Sequence, residues 1–435
     1  MRPSKSLTGL KQSFNAELCT SSSGSIRRWL LVNKEMPAQS ESETPSLFTM
    51  EELRKLKSNF ETGGVENVKS LIEKKVTEMD NTELNVALTG ISGSGKSTLI
   101  NTMRGLRSMD KGAAKVGTKE TTMEPTGYPH PSLPNVCYWD LPGIGSLQLP
   151  AGKYLSKMNF KKYDFFIIVS DCRFRESDAK LAKEIKRLGK NFYFVRSKID
   201  NDLRSMKLDL GKINEEKELD TIRNDCVKGL ERAGIPYPKV FLISSFEEDQ
   251  FDFSLLQKVL EFDLSNVKKH IFVLALPNTN MENVRKKNEM LKKYIWMLAT
   301  LSGALGAVPV PGFSLACDIG IMVGAIVHFR KCMGLDEASL QRLANRSGKP
   351  VEKLNAVVQP LLLGEITPNV ILRVGWGAAV VTVSAMELAL DFIPVIGSIF
   401  GAGSSFVMTY KILSDALKDL TENAKRVVKV AFESA

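Results

Sequence analysis

Residues 90–97 read Gly90-Ile91-Ser92-Gly93-Ser94-Gly95-Lys96-Ser97, which is the spacing of a phosphate-binding loop. The apolar run Leu84–Thr89 precedes the loop and a helical pattern follows it, so the order is strand, loop and helix. This context disfavours the alternative, a glycine-rich turn that matches the pattern by chance. Glycines let backbone N–H groups turn toward phosphate oxygens, and the positive end of the helix dipole assists them. The sequence therefore predicts a nucleotide phosphate site.

Each position of this loop has an expected role. Lys96 is expected to reach the β- and γ-phosphates, and Ser97 is expected to ligate Mg²⁺. The other contacts to the nucleotide are expected from Gly90, Gly93, Ser94, Gly95 and Thr98.

A second motif, Asp140-Leu141-Pro142-Gly143, follows the apolar run Val136–Trp139. Its distance from the loop makes it informative, because the same four residues elsewhere would be an ordinary turn. Asp140 is expected to hold Mg²⁺ through water, and the N–H of Gly143 is expected to contact the γ-phosphate during hydrolysis. The sequence thus predicts Mg²⁺ beside a triphosphate.

A third motif, Ser197-Lys198-Ile199-Asp200, ends the apolar run Phe192–Arg196 and predicts the base. The Asp200 carboxylate can accept from the ring N–H and the amino group of guanine, a donor pair that adenine lacks. The Lys198 stem is expected to lie along the base. Ser197 stands where usual GTPases have Asn or Thr, so we expect weaker bracing of the base loop. Ser244 and Ser245 occupy the place of the last guanine-contacting loop. GTP and GDP are therefore the predicted ligands.

The water-positioning group is not evident after the second motif. In Ras-like GTPases a Gln follows that motif and orients the attacking water, whereas here the position is Ile144. An alkyl side chain forms no hydrogen bond with water. The missing group is expected from elsewhere in the chain or from a second molecule, so the activity should rise on assembly.

The pattern of the whole chain predicts an α/β fold with an all-α addition. We expect a tail over residues 1–46, two helices over 47–80 (the second over Val65–Met79), a doubly wound P-loop domain over 81–263 and a helical domain over 264–435. The predicted strands are Leu84–Thr89, Val136–Trp139, Phe165–Ser170, Phe192–Arg196 and Val240–Ser244.

Composition narrows the setting. The chain of 435 residues carries a net charge of +10, and 43% of its residues are hydrophobic, which excludes disorder throughout. Its six cysteines form no CxxC pair, so neither a disulfide framework nor a zinc site is predicted, and a reducing cytoplasmic setting is expected. No basic patch is interleaved with aromatic residues, which disfavours a nucleic-acid-binding ATPase.

These stretches together resemble the immunity-related (interferon-inducible) GTPase family, and more specifically its interferon-inducible GTPase 5-like branch, which includes the testis-expressed member. The resemblance runs from about residue 47 to the C-terminus. The stretches that carry it are Gly90–Ser97, Glu120-Thr121-Thr122-Met123, Val136–Ser146, Tyr163–Ile168, Phe192–Asp200 and Lys268-Lys269-His270.

The resemblance implies a Ras-like G domain framed by a helical domain built from both chain ends. It also implies association through the nucleotide faces, with copies of itself or with related GTPases, and a role in cell-autonomous innate defence. The switch glutamate that supports hydrolysis in the family matches Glu120, and the Mg²⁺-sensing Thr matches Thr122 because Val116 stands at the other candidate position. Arg173 and Asp178 match residues that the family uses across the dimer.

Two long apolar segments bear on membranes. Tyr294–Cys317 spans 24 residues without a formal charge and Phe392–Tyr410 spans 19. Both exceed the ~18 apolar residues of a membrane-span candidate, although buried bundle helices explain them equally well. Lys286, Lys287, Lys292 and Lys293 precede the first segment and would favour an anionic surface. With the resemblance, the expectation is peripheral or re-entrant contact with the cytosolic face of intracellular membranes.

Two other functions stay open at this point. The first is a GTP-gated scaffold without catalysis, in which the nucleotide only switches oligomerisation or partner binding. The second is a constitutively expressed, testis-type family member without an immune role.

Overall fold

A computed structural model of the chain describes residues 50–117, 124–142, 158–306, 313–367, 370 and 404–432. The predicted tail, Glu120, Thr122, Gly143 and most of the second apolar segment lie outside these residues.

Six strands form one sheet in the order β2-β3-β1-β4-β5-β6, and all neighbours are parallel except β2 and β3. β1 and β4 are buried at every residue, as expected for parallel strands that helices cover on both faces. The strands are β1 Leu84–Thr89, β2 Thr126–Pro129, β3 Val136–Asp140, β4 Phe165–Ser170, β5 Phe192–Arg196 and β6 Val240–Leu242.

Five of these strands were predicted from apolar runs. β1, β4 and β5 have the predicted bounds, β3 extends one residue further, and β6 ends two residues earlier. β2 was not predicted, because Gly127 and Pro129 are poor strand residues and the strand is half-exposed at an edge. Gly127 is required there, since a Cβ atom would lie 2.8 Å from the ring of Trp139 on β3.

Helices cover both faces of the sheet. On one face, β1 and β3 pack with α1, α6 and α7 around residues such as Ile72, Leu256 and Phe272. On the other face, α3, α4 and α5 cover Phe166, Ile168 and Phe194. These helices are α1 Met50–Asn81, α2 Lys96–Met103, α3 Glu176–Arg187, α4 Ile199–Leu210, α5 Glu215–Arg232, α6 Phe253–Asp263 and α7 Asn266–Ala275.

The first helix corrects one prediction. Residues 47–80 were expected to form two helices, but α1 is continuous from Met50 to Asn81. Gly63 and Gly64 lie inside it; each glycine costs about 1 kcal/mol in a helix interior, whereas no proline is present to break the helix. The last turns of α1 pack against the sheet through Ile72 and Met79, and α1 also contacts α8.

The helical part has a core of its own, built on α8. That helix joins the basic stretch and the first apolar segment into one element, and it packs against α1, α9 and α13. These helices are α8 Met281–Gly306, α9 Phe313–Cys332, α10 Glu337–Ser347, α11 Val351–Asn355, α12 Pro360–Leu363 and α13 Ser404–Phe432. Within the part of the chain that the structure describes, no helix combines the length and hydropathy that a membrane span needs.

The basic start of α8 differs from the expectation of a membrane-facing lysine group. Lys287 is 4% exposed, and Lys286 forms a 2.5 Å ion pair with Glu261 on α6. Lys293 is half-buried, and burial lowers its pKa. Only Lys292 of the four is exposed. The helix turns Lys286 and Lys287 toward protein, so the four lysines do not form the continuous anionic-surface contact that the sequence suggested.

Candidate nucleotide-binding site

The phosphate loop turns at the carboxyl end of β1 through glycines in conformations that other residues rarely adopt. Gly90 has φ +140°, and a Cβ atom there would lie 2.1 Å from the carbonyl oxygen of Val169 on β4. Gly95 has φ +90° and precedes the first turn of α2. The loop therefore lies close against the neighbouring strand, with its amide groups at the start of a helix where anions bind favourably.

Two side chains of the loop carry polar groups suited to phosphate. Lys96 is 7% exposed, and its Nζ donates to the carbonyl oxygens of Ile91 at 3.0 Å and Gly90 at 3.4 Å. Ser94 is fully buried, and no residue that the structure describes hydrogen-bonds its Oγ. A buried hydroxyl without a partner is costly, so this site is suited to a ligand with oxygen acceptors.

Ser97 and Asp140 meet beside the loop, although 43 residues separate them. Ser97 Oγ donates to Asp140 Oδ2 at 2.5 Å, and Asp140 is 1% exposed. A hydroxyl and a carboxylate are hard oxygen ligands of the kind that Mg²⁺ prefers. Within the described ranges no cluster of three His, Cys, Asp or Glu residues could hold a metal by itself. The donor set therefore fits an ion that is also bound by nucleotide phosphates and water, with Ser97 and Asp140 on the protein side.

The base motif is joined to the phosphate loop by Ser197. Its Oγ donates to the carbonyl oxygen of Ser94 at 2.7 Å, and its backbone N–H donates to Ser170 at the end of β4. Ser197 is 2% exposed. The expectation of weaker bracing was based on the departure from the usual Asn or Thr, but the Ser197 hydroxyl donates to the loop directly.

Lys198 and Asp200 lie next to this joint. Lys198 has φ +58°, and its Nζ donates to the carbonyl oxygen of Gly93 at 2.7 Å and to Asp171 at 2.9 Å, so its stem spans the gap to the phosphate loop. Asp200 lies half-buried in the first turn of α4, and no group in the described part of the chain hydrogen-bonds its carboxylate. An aliphatic lysine stem beside an available carboxylate suits guanine. Asp171 was not predicted, because a single acidic residue after a strand has no distinctive pattern.

The loop after β6 closes the other side. Ser244 Oγ accepts from the N–H groups of Phe246 and Glu247, both at 3.1 Å, which fixes the turn. The carbonyl oxygen of Ser245 accepts from Thr102 on α2 at 3.2 Å. Three residues further, Glu248 forms an ion pair with Arg346 on α10. The last predicted loop is thus attached both to α2 and to the helical part.

The two residues expected to contact a partner molecule across a dimer differ in their exposure. Arg173 is exposed, but Asp178 is fully buried on α3. Asp178 Oδ2 accepts from the N–H of Arg175 at 3.1 Å and from Ser170 Oγ at 3.2 Å, and burial raises the pKa of this carboxyl. Asp178 therefore caps its own helix, and the expectation that it contacts a partner molecule is wrong.

Several known proteins are similar to this chain. The sequence profile described as Interferon-inducible GTPase (IIGP) matches residues 49–371. Interferon-inducible GTPase 5 of Rattus norvegicus is 38% identical over 407 residues, which cover 93% of this chain and 87% of that relative. Interferon-gamma-inducible GTPase 10 of Mus musculus is 37% identical over 384 residues, which cover 88% of this chain and 90% of that relative. Among solved structures, the FeoB G-domain of Methanococcus jannaschii matches 43% of this chain and 99% of its own, with a TM-score of 0.26 and 19% identity.

Proposed function

This chain belongs to the interferon-inducible GTPase family and is a GTPase, and we propose that it hydrolyses GTP to GDP at the site of Gly90–Ser97 and assembles with further copies when GTP is bound. The observation that carries the proposal is the junction at Ser94, where the phosphate loop is hydrogen-bonded to the base motif. One side chain thereby sets the distance between the phosphates and the base.

The residues of the site bind the guanine base, the phosphates and Mg²⁺ in separate groups. Asp200 accepts from guanine, and Lys198 covers the base, with Ser244 and Ser245 behind it. Lys96 moves from the loop carbonyls to the β- and γ-phosphates, where its charge stabilises the charge that develops on the leaving group. Ser97, Thr122 and Asp140 would hold Mg²⁺, which would supply positive charge beside the phosphates. The N–H of Gly143 contacts the γ-phosphate.

The attacking water requires a group that Ile144 does not supply. We assign it to Glu120, which lies in the segment between the phosphate loop and Asp140 that covers the γ-phosphate in Ras-like domains. Its carboxylate accepts a proton or a hydrogen bond from water, and we expect this contribution in the assembled protein. General-base or water-orienting groups contribute about 10²–10⁴-fold.

Turnover against protein concentration tests this assignment. The parent's turnover per molecule should increase with concentration, whereas Glu120→Ala should bind GTP and assemble but lose the increase. Glu124→Ala is the matched control, because it removes an exposed carboxylate four residues away. Absence of GTP turnover in the parent at every concentration, with intact GTP-dependent assembly, would favour the non-catalytic scaffold. If turnover in Glu120→Ala increases with concentration as in the parent, Glu120 is a solvated charge without a role in hydrolysis.

We also propose that the assembled protein works on the cytosolic face of intracellular membranes in innate defence. The support is the uncharged stretch Phe392–Tyr410 rather than the start of α8, where Lys286 and Lys287 face protein. Flotation with anionic vesicles tests it: the parent with a non-hydrolysable GTP analogue should float, and Val395→Asp within the stretch should remain in solution. Equal flotation of both would contradict the role of this stretch.

A further inference from the structure

A cavity that is separate from the nucleotide site lies between the α/β part and the helical part, away from the phosphate loop. Its volume is about 70 Å³. The residues after α2 and the turn between β2 and β3 form one wall, and α8, α9 and α10 form the other. The polar residues that matter for its chemistry are Arg104, His130, Lys287, Lys331, Arg342 and Arg346.

The charge of this cavity is unbalanced. Five of its lining residues are Lys or Arg, and no lining residue is acidic. Arg346 has a carboxylate partner in Glu248, but the other four have none within 4.0 Å among the residues that the structure describes. Lys287 and Arg104 are only 4% and 6% exposed. Asp336 and Asp110 partly offset the charge of Arg342, but Lys287 and Arg104 are buried without a carboxylate partner, which is unfavourable, so the cavity is suited to an anion.

Donors remain available at its two ends. Lys287 Nζ donates to the carbonyl oxygen of Cys332 at 2.7 Å, which uses one of its three protons. Arg342 donates from Nη2 to Ser339 Oγ at 2.6 Å and to Ser132 Oγ at 3.5 Å, and no described residue accepts from its Nε or Nη1. Arg104 donates to the carbonyl oxygens of Pro129 and Gly112, so it supplies positive potential rather than free donors. Lys331 is exposed and lies where the cavity opens to solvent.

The electrostatics are consistent with a missing anion. Burial lowers the pKa of Lys287 to about 8, and it lowers the pKa of Arg342. His130 lies among Arg104, Lys287 and Arg342, and burial with these charges lowers its pKa to about 3, so the imidazole is neutral at physiological pH. An anion in the cavity would oppose these shifts for Lys287 and Arg342.

We propose that this cavity binds a phosphate group, held by Lys287 from α8 and Arg342 from α10. The volume exceeds the ~10–15 Å³ that one water needs and is below the ~300 Å³ of a small-molecule pocket, so it fits a tetrahedral oxyanion and not a nucleotide. Guanidinium and ammonium groups are the usual ligands of phosphate oxygens. The phosphate is either free inorganic phosphate or the phosphate of a lipid headgroup, and its binding joins the two parts of the chain.

Calorimetry with the full chain tests the proposal. The protein is first saturated with Mg²⁺ and a non-hydrolysable GTP analogue so that the phosphate loop and the γ-phosphate position are filled, and inorganic phosphate is then titrated at constant ionic strength. We expect one site, with about tenfold or more weaker binding in Lys287→Met and in Arg342→Gln, because each loses a charge-assisted hydrogen bond. Lys228→Met, which changes an exposed lysine of α5, is the control and should bind like the parent.

Folding and GDP affinity of each variant are measured alongside, and Arg342→Gln decides the matter if Lys287→Met does not fold, because Arg342 is only half-buried. Binding to lipid vesicles then distinguishes a lipid headgroup from free inorganic phosphate as the ligand. A lipid headgroup is supported if the parent binds phosphatidylinositol-phosphate vesicles, free phosphate competes, and Arg342→Gln does not bind. Equal vesicle binding by parent and variants, with weakened phosphate binding in the variants, supports free phosphate. No phosphate heat in the parent, or equal affinity in all variants, overturns the proposal.

Discussion

Ser197 Oγ donates a 2.7 Å hydrogen bond to the carbonyl oxygen of Ser94, so the base motif and the phosphate loop are tied by one buried hydroxyl. The two residues lie 103 positions apart in the chain. The bond crosses from the end of β5 to the loop after β1, and β4 lies between these strands. It therefore fixes the loop relative to the base at the edge of the sheet where the nucleotide binds.

Ser197→Ala should weaken binding of both GTP and GDP, because it removes this tie and leaves the Ser94 carbonyl without that donor. A neutral hydrogen bond is worth about 0.5–1.5 kcal/mol, which corresponds to roughly two- to tenfold in affinity. Ser197→Thr keeps the hydroxyl and is expected to bind nearly like the parent. Fluorescent-nucleotide titration measures both. Unchanged affinity in Ser197→Ala would show that the tie does not contribute to binding.

Asp200→Asn should lose selectivity for guanine, since the carboxylate accepts from two donors that only guanine presents together. The loss of charged hydrogen bonding of about 1.5–3 kcal/mol should lower GTP affinity tenfold or more. The Asn amide can instead donate to the 2-oxo group of xanthine, so the variant should gain affinity for xanthosine triphosphate. Competition binding with the two triphosphates measures the exchange. A variant that keeps parental GTP affinity would refute the guanine assignment.

Gly90→Ala should destabilise the fold far more than Gly93→Ala, although both glycines have positive φ. A Cβ atom at position 90 would meet the Val169 carbonyl oxygen at 2.1 Å, whereas nothing lies within 4 Å of a Cβ at position 93. Backbone strain alone costs about 1–3 kcal/mol, and the clash adds to it at Gly90 only. Urea unfolding of the nucleotide-free protein gives the difference. Equal losses in the two variants would mean that strand β4 yields to the added methyl group.

Acid should destabilise the protein from about pH 6.5 downward, because its histidines are buried as neutral bases. Burial lowers the pKa of His130 and His270 to about 3, while the unfolded chain titrates near 6.5. Between these values the unfolded state binds more protons, so the free energy of unfolding falls as pH falls, by about 1.4 kcal/mol per unit for each histidine.

His130→Asn isolates one of these contributions. His130 Nδ1 accepts from the N–H groups of Ser132 and Leu133 at 3.3 Å, and an Asn side-chain oxygen can accept in its place. The slope of unfolding free energy against pH between 6.5 and 5 should decrease by the contribution of one proton relative to the parent. Denaturant titrations at several pH values provide the slopes. An identical slope would show that His130 is not buried as the neutral form.

Sequence predicted the local features of this protein and missed those that depend on distant packing. β1, β4 and β5 are continuous apolar runs, so their bounds follow from composition alone, and the phosphate loop is a contiguous motif. β2 lacks any apolar alternation and exists because Gly127 admits the ring of Trp139.

Charged residues were the hardest to place. Lys286 and Lys287 are neighbours on α8, yet one pairs with Glu261 and the other is enclosed beside Cys332. Successive residues on a helix point about 100° apart, so their surroundings depend on which helices pack nearby. Asp178 matched a family interface position, but its carboxylate is used by the local cap of α3. No pattern within one segment contains this information.

The ion pair between Glu248 and Arg346 couples the loop after β6 to helix α10. A change in the position of one therefore changes the stability of the other. Glu248 lies three residues beyond Ser245, and α10 packs in the helical part. Suppose that bound nucleotide changes the equilibrium constant for forming this ion pair by some factor. By thermodynamic linkage, forming the ion pair then changes the nucleotide binding constant by the same factor. A ligand that changes the contact between α10 and this loop would then change nucleotide affinity without touching the nucleotide.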